Sequence, residues 1–157
     1  MIEIKDDSQQ IFNICLCGGT FDRLHPGHHA LLNVAFILAK YVVIGVTIDE
    51  MVNDKVAADL IQPLHERIKH LTNYLNGCDY QGRFELAKLT KPEGTSETFK
   101  KADAMVITEE THILLDTINS VRVSRGLTPL IKIFIPYILT SECRPYRSTD
   151  LRQQIRK

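Results

Sequence analysis

The sequence predicts an α/β protein built on a central parallel sheet of five strands, and three observations carry that prediction. Five apolar runs alternate along the chain with segments of helical spacing, the pattern of repeated strand–helix units. The first two runs, residues 11–17 (IFNICLC) and 41–48 (YVVIGVTI), are apolar or β-branched nearly without a break, as strands covered on both faces are. The first run also passes through a Gly-Gly turn into a helical stretch, at the carboxyl end of a strand, where ligands of such sheets bind.

Taken in order, residues 1–10 are polar and acidic and read as a loose arm. Strand 11–17 leads to the turn, and a helix follows from Gly27 to about Lys40. It is apolar on nearly every side through Leu31, Leu32, Val34, Ala35, Phe36, Ile37 and Leu38, so deep packing is expected. After the second strand, residues 49–60 are polar, carry Lys55 and read as a loop with a short helix. Pro63 suits a helix start, Ile68, Leu71 and Leu75 follow at helical spacing, and Asn76-Gly77 closes that helix. Residues 83–89 alternate as a third strand, and 90–101 form a loop ending in a helical turn. A fourth strand is expected over 104–108, a helix over 109–125 closed by Gly126, and a fifth strand over 130–138. Residues 140–147 connect to a last helix over 148–157, with Ser148 as its N-cap. No repeat or low-complexity tract interrupts the pattern, and one domain over 1–157 is expected.

At 157 residues the chain is long enough for one substantial core, and 44% hydrophobic with 24% charged residues is ordinary for a soluble domain. The 19 basic and 19 acidic side chains cancel, which argues against a general nucleic-acid-binding surface; an anion site must come from local clustering. No signal peptide and no membrane-spanning apolar run is read from the sequence. Cys15, Cys17, Cys78 and Cys143 lack C-x-x-C spacing. Cys15 and Cys17 share one face of the first strand as small apolar groups, and a reduced, cytoplasmic location is expected. No His/Cys/Asp/Glu spacing suggests zinc, and His29, His65, His70 and His112 carry no expected role.

The chemistry concentrates in residues 18–32 (GGTFDRLHPGHHALL). Gly18 and Gly19 have no Cβ to hold off a ligand, and Gly27 stands where the helix begins. The N–H groups of a helix's first turn attract anions. His25 and His28 bracket Gly27 and can donate hydrogen bonds to whatever sits there. A histidine at a helix start, or a Gly-Gly pair, is ordinary by itself. Strand, Gly-Gly-Thr-Phe-Asp and His-x-Gly-His in that order is specific, and phosphate is the ligand it suits.

This pattern resembles the signature of the HxGH nucleotidyltransferases, which join a nucleoside monophosphate from ATP or CTP to a phosphate or carboxylate and release pyrophosphate. Three later stretches narrow the resemblance. Residues 62–68 (QPLHERI) are similar to the Q-P-x-x-E-R helix start of phosphopantetheine adenylyltransferases. Residues 106–111 (VITEET) resemble the V-x-S/T-E-E-T segment of their archaeal and eukaryotic branch, and 148–152 (STDLR) the S-S/T-x-x-R stretch that ends the fold. The resemblance runs from Gly18 to Arg152. It implies a Rossmann-like three-layer sandwich around a five-stranded parallel sheet. It also implies synthesis of dephospho-coenzyme A from ATP and 4′-phosphopantetheine, Mg²⁺ brought with ATP, and no nucleic-acid or membrane partner. The chain departs from the family at Arg147, where a small residue is usual, and at Lys91 and Glu93, where an acid and an aromatic are usual. It has no G-x-x-x-x-G-K-S/T P-loop, so the kinase step that follows is expected of another protein.

In that reaction a phosphate attacks the α-phosphorus of ATP. The nucleophile is already an anion near neutral pH and pyrophosphate with Mg²⁺ leaves readily, so catalysis reduces to positioning and charge stabilisation. His28 is expected to stabilise charge developing between the α- and β-phosphates, with His25 assisting; the imidazolium would help most, and a neutral N–H also donates. Thr20 is expected to hold the attacking phosphate and Lys55 to neutralise it. Gly19, Thr20, Phe21 and His28 are expected on the ATP side, with Ser148 and Thr149 on the β- and γ-phosphates. Glu110 is expected near the adenosine, through the turn 108–111. Arg122 and Arg125, three apart on one helix face, are candidate phosphate contacts. Two rival readings are another HxGH enzyme (a glycerol-3-phosphate cytidylyltransferase or an FAD synthetase) and a non-catalytic nucleotide-binding protein. The 62–63 and 109–111 stretches speak against the first, and the full set of His25, His28, Lys55, Ser148 and Thr149 against the second.

Overall fold

A computed structural model of the chain describes residues 10–94 and 100–155. The arm expected over 1–10 lies outside them except for Gln10, as do most of the helical turn expected before Ala102 and the last two residues. Five parallel strands form one sheet in the order β3-β2-β1-β4-β5. They are β1 (Phe12–Gly19), β2 (Ala39–Thr47), β3 (Phe84–Leu89), β4 (Ala104–Ile107) and β5 (Ile131–Phe134). Helices between and after them include α1 (Pro26–Leu38), α2 (Leu64–Gly77), α3 (His112–Ser124) and α4 (Ser148–Ile155). The polar stretch expected between the second strand and α2 holds two single-turn 3-10 helices, Asp49–Val52 and Ala58–Leu60. β5 stops well short of the expected 138 because Pro136 has no N–H for a ladder. Ile135 N still donates to Ile107 O, and the chain then bridges to itself at Leu139 and Pro145.

The strands alternate their side chains between two faces. One face sends Cys15, Cys17, Val42, Ile44, Val46 and Val106 into a core with Leu32, Ala35 and Phe36 of α1 and Leu71 and Leu75 of α2. The other sends Leu16, Val43, Met105 and Ile107 against Leu115 and Ile118 of α3. Helices on both faces of a parallel sheet are the three-layer sandwich the sequence leads one to expect. Burial pushes the Cys15 thiol up to about 12 and the Cys17 thiol well above its ordinary value, so both behave as apolar core atoms.

Helix α1 departs from expectation. It buries Leu31, Leu32, Ala35 and Phe36 but leaves Ile37 68% exposed. A helix laid on one side of a sheet keeps an outer face whatever residues occupy it, so its all-round apolar sequence does not make it central. The chain leaves β1 toward β2 on one side and returns to β4 on the other. The loops above the carboxyl end of β1 therefore part at that point and open a crevice.

Candidate active site

The turn from β1 into α1 is wound tightly. Phe21 and Arg23 both take left-handed backbone angles, φ 52° and 50°. Such residues cost of order 1–3 kcal/mol each and persist only where the surroundings fix them. Asp22, between them and fully buried, does the fixing. Its Oδ1 accepts from Gln62 N at 3.0 Å, its Oδ2 from Arg152 Nη1 at 2.9 Å, and its carbonyl from Ser148 Oγ at 2.5 Å. One carboxylate thus ties the turn to the start of α2 and to α4. The winding turns the Phe21 side chain into the core, 1% exposed, so the expected nucleotide contact is left to its main chain alone.

The His-x-Gly-His signature is a helix cap. His25 is the N-cap of α1, and its Nδ1 accepts from Gly27 N at 3.1 Å; His25 N in turn donates to His28 Nδ1 at 3.3 Å. The His25 ring lies so close that a Cβ on Gly27 would come 2.9 Å from its Cε1, which explains the glycine. The two rings stack with centroids 3.8 Å apart. An Nδ1 that accepts carries no proton, so each ring is neutral with its hydrogen on Nε2. Burial and the neighbouring His29 lower His25 to about 4; burial, the other two imidazoles and Lys55 lower His28 to about 3. The imidazolium considered from sequence is therefore not the resting form: what both histidines offer is a neutral Nε2–H.

Beside them, Thr20 Oγ1 takes hydrogen bonds from Lys55 Nζ at 2.8 Å and Thr47 Oγ1 at 3.2 Å. Burial of the ammonium and the charges of Arg152 and Arg67 lower the Lys55 pKa against the pull of Glu110 and Asp22. Cations crowded enough to disfavour one another make a place for an anion. Arg152, 2% exposed, reaches Asp22, Val56 O at 2.9 Å and Thr149 Oγ1 at 3.1 Å, and its buried Nε has no hydrogen-bond partner among the described residues. Ser148 is the first residue of α4 rather than its N-cap. Arg147 O accepts from Asp150 and Leu151, while the Ser148 hydroxyl is committed to Asp22.

Gly18, Gly19, Thr20, His25, Gly27, His28, Lys55, Glu110, Ser148 and Thr149 line a single cleft of about 490 Å³ over the carboxyl ends of the strands. Glu110 enters it on a turn closed by Thr108 N donating to Thr111 Oγ1 and Thr111 N to Thr108 O. Tyr137 and Arg147 line it too, the guanidinium 5.7 Å above the ring. Of the departures noted from sequence, Arg147 and Glu93 face the cleft and Lys91 does not line it. The apolar floor includes Val43, Gly45, Ala87 and Leu89; a Cβ on Gly45 would lie 2.7 Å from Leu89 Cδ1.

Arg122 and Arg125 are corrected by the structure. Arg122 is 2% exposed and donates to Thr128 O at 2.7 Å and Ala102 O at 3.2 Å, at the amino ends of β5 and β4. Arg125 caps the carboxyl end of α3. Both sit at the opposite end of the sheet from the cleft. Thr47, Tyr146 and Arg152 are cleft residues that sequence reasoning left without a role. Arg152 was within reach of it, since it ends the S-S/T-x-x-R stretch; Thr47 and Tyr146 carry no sequence signal.

The cytidylyltransferase-like family profile matches residues 16–154. A phosphopantetheine adenylyltransferase of Methanopyrus kandleri is 35% identical over 92% of this chain and 91% of its own length. One of Pyrococcus horikoshii is 40% identical over 81% and 80%. Among solved structures, a protein with unknown function from Archaeoglobus fulgidus superposes with a TM-score of 0.66 at 28% identity, covering 78% of this chain and 88% of that one. The pantothenate synthetase of Thermus thermophilus shares the fold, with a TM-score of 0.56 at 13% identity over 90% of this chain and 64% of that one. With a strained, Asp-fixed turn, a neutral histidine cap and a cation cluster in one cleft, and with relatives of this identity over most of its length, this chain belongs to the cytidylyltransferase-like family and, within it, to the phosphopantetheine adenylyltransferases.

Proposed function

We propose that this protein transfers the adenylyl group of ATP to 4′-phosphopantetheine, giving dephospho-coenzyme A and pyrophosphate in coenzyme A synthesis. The observation that carries the reading is the composition of the cleft. It joins a Lys55–Thr20 pair at 2.8 Å, two neutral Nε2–H donors at the start of α1, and the start of α4. These residues are donors and cations, and neither His25 nor His28 is free to act as a base, because both rings accept from the backbone through Nδ1; Glu93 and Glu110 are the carboxylates of the lining.

Lys55 and Thr20 hold the phosphate of phosphopantetheine. One of its oxygens attacks the α-phosphorus, the bond from that phosphorus to the β-bridging oxygen breaks, and both electrons leave with pyrophosphate. No proton need move. His28, with His25, donates from Nε2 to the oxygens between the α- and β-phosphates as negative charge builds there, which favours the transition state over the bound substrate. Ser148, Thr149 and Arg152 receive the terminal phosphates at the amino end of α4. Glu110 and its turn face the adenosine, and the floor of Val43, Gly45, Ala87 and Leu89 takes the uncharged pantetheine arm.

The reading takes ATP as its Mg²⁺ complex, in which the ion would offset the charge of the leaving pyrophosphate. Among the described residues no group of three His, Cys, Asp or Glu is placed to hold a metal. The four cysteines are free, which suits a reducing compartment such as the cytoplasm; no helix among the described residues is long and apolar enough to cross a membrane. Incubation with MgATP and 4′-phosphopantetheine, with mass spectrometry of the products, tests the reading: dephospho-coenzyme A must appear, and its absence from an otherwise folded protein refutes it.

A further inference from the structure

Arg67 does not line the cleft, yet it is among the largest fully buried side chains, at 0% exposure. Its guanidinium is spent almost wholly on main-chain carbonyls. Nε donates to Gln62 O at 2.8 Å, Nη1 to both Thr20 O and Thr47 O at 2.8 Å, and Nη2 to Asp49 Oδ1 at 2.7 Å. These acceptors come from separate segments: the signature turn, the end of β2, the entry to α2, and the 3-10 turn after β2.

Two of the acceptors are placed tellingly. The ladder between β1 and β2 ends with the pair Gly19 and Val46. Thr20 follows the last residue of β1, and Thr47 ends β2, where it still pairs with Leu89 of β3; both lie beyond the last β1–β2 rung. Arg67 Nη1 joins their carbonyls at the point where the sheet ceases to hold them together. Their side chains meet at the same place, with Thr47 Oγ1 donating to Thr20 Oγ1 and Lys55 Nζ to Thr20 Oγ1. A lysine could not do this, since it lacks a planar fork able to address several fixed directions at once. Among the described residues the one ion-pair partner of Arg67, Asp49, has a side chain that is 54% exposed, so most of what the guanidinium is aimed at is main chain rather than charge.

We infer that Arg67 is a positioning residue: it clamps the main chains of Thr20 and Thr47 past the end of the β1–β2 ladder and so sets the Thr20–Lys55 seat for the attacking phosphate. This rests on the proposed function for the identity of the anion, and it predicts a selective defect. Displacing the seat by a fraction of an ångström to an ångström misplaces the nucleophile and leaves the ATP side, built on α1 and α4, in place.

The test is a double-mutant cycle of Arg67→Lys and Lys55→Ala on the full chain. It reads kcat/KM for phosphopantetheine, KM for ATP, Tm, and the calorimetric Kd of phosphopantetheine without ATP. Arg67→Lys should lower kcat/KM for phosphopantetheine by roughly 10–100-fold, weaken its binding, and move KM for ATP by less than about twofold. In the Lys55→Ala background the same change should cost less than about threefold, while its effect on Tm stays the same in both backgrounds. Equal losses in the two backgrounds, or equal damage to the ATP term, would show that Arg67 serves the fold alone and overturn the inference. Should Arg67→Lys not fold, Asp49→Ala, which removes the carboxylate that orients Nη2, carries the test. It should give the same selectivity at about threefold, and an unselective loss again overturns the inference. A wild-type protein that binds phosphopantetheine but releases no pyrophosphate refutes the proposed reaction and leaves the binding cycle to decide on Arg67; one that binds no phosphopantetheine overturns both.

Discussion

Replacing His28 separates its two jobs. His28 Nδ1 accepts from His25 N at 3.3 Å and so completes the cap of α1; His28 also lines the cleft, where the proposed function gives its Nε2–H the developing charge. His28→Ala removes both. Losing a preorganised donor to developing charge costs about 2.7–4 kcal/mol, or 10²–10³ in kcat, and losing the cap costs about 1 kcal/mol of stability. His28→Asn keeps a side-chain oxygen for the His25 N–H. Its Tm should recover most of the loss while kcat stays low. Calorimetric binding of ATP should stay within a few-fold of wild type in both, because the donor acts mainly on charge that appears in the transition state. The pH profile adds a sharper check. With His25 at about 4 and His28 at about 3, both rings stay neutral from pH 8 down to about 5, so kcat should show no fall from loss of an imidazolium near 6.5, only the rise with pH that ionisation of the attacking phosphate brings, its second pKa being about 6. A near-normal kcat in His28→Ala, or a wild-type kcat that falls as pH rises through 6.5, would refute this account of the histidines.

Further expectations follow from the same geometry. Lys55→Ala should raise KM for phosphopantetheine and lower kcat, by roughly 1.5–3 kcal/mol together for a charged hydrogen bond, with Lys55→Arg rescuing in part; a steady-state matrix in both substrates reads this, and a defect confined to the ATP term contradicts it. Gly27→Ala should force the His25 ring away from a Cβ only 2.9 Å distant, costing about 0.5–2 kcal/mol of cap stability together with a drop in kcat, measured by thermal melts and turnover. Acid should destabilise the fold through the same ring pair. The folded pKa values lie below the unfolded value of 6.5, so the unfolded chain binds more protons as pH falls. The stabilisation is whole above about 6.5 and is lost progressively toward 4 and 3. Tm should decline over that window, less steeply in His28→Asn; identical slopes in the two proteins would count against it.

The sheet was legible because its signals are dense: buried parallel strands announce themselves as runs such as 41–48, and the Gly-Gly turn marks where β1 meets α1. Strand order, and with it the position of the crevice, is set by which strands pair across long sequence separations and leaves no local trace. The end of β5 was within reach: the apolar run continues to 138, but Pro136 lacks the N–H a ladder needs, and that signal outweighs the run. At the site, the residues with a chemical signature (His25, His28, Lys55, Ser148 and Thr149) do come together. Arg122 shows the limit of spacing arguments. Two arginines on one helix face look like a phosphate clamp until the topology places that helix end at the amino side of the sheet. Arg67 and Asp22 were visible only as motif letters. Their work is to fix carbonyls and amides of distant segments, and a hydrogen bond to the main chain can be read only once the fold has brought that main chain near.

The central claim is that this cleft passes an adenylyl group from ATP to a phosphate carried on a pantetheine arm. The direct measurement is pyrophosphate release by the wild-type protein with Mg²⁺ and each pairing of ATP or CTP with 4′-phosphopantetheine or glycerol-3-phosphate. The account predicts release with ATP and 4′-phosphopantetheine well above every other pairing. Comparable release with CTP and glycerol-3-phosphate, or none with any pairing from a protein that binds ATP, would contradict it.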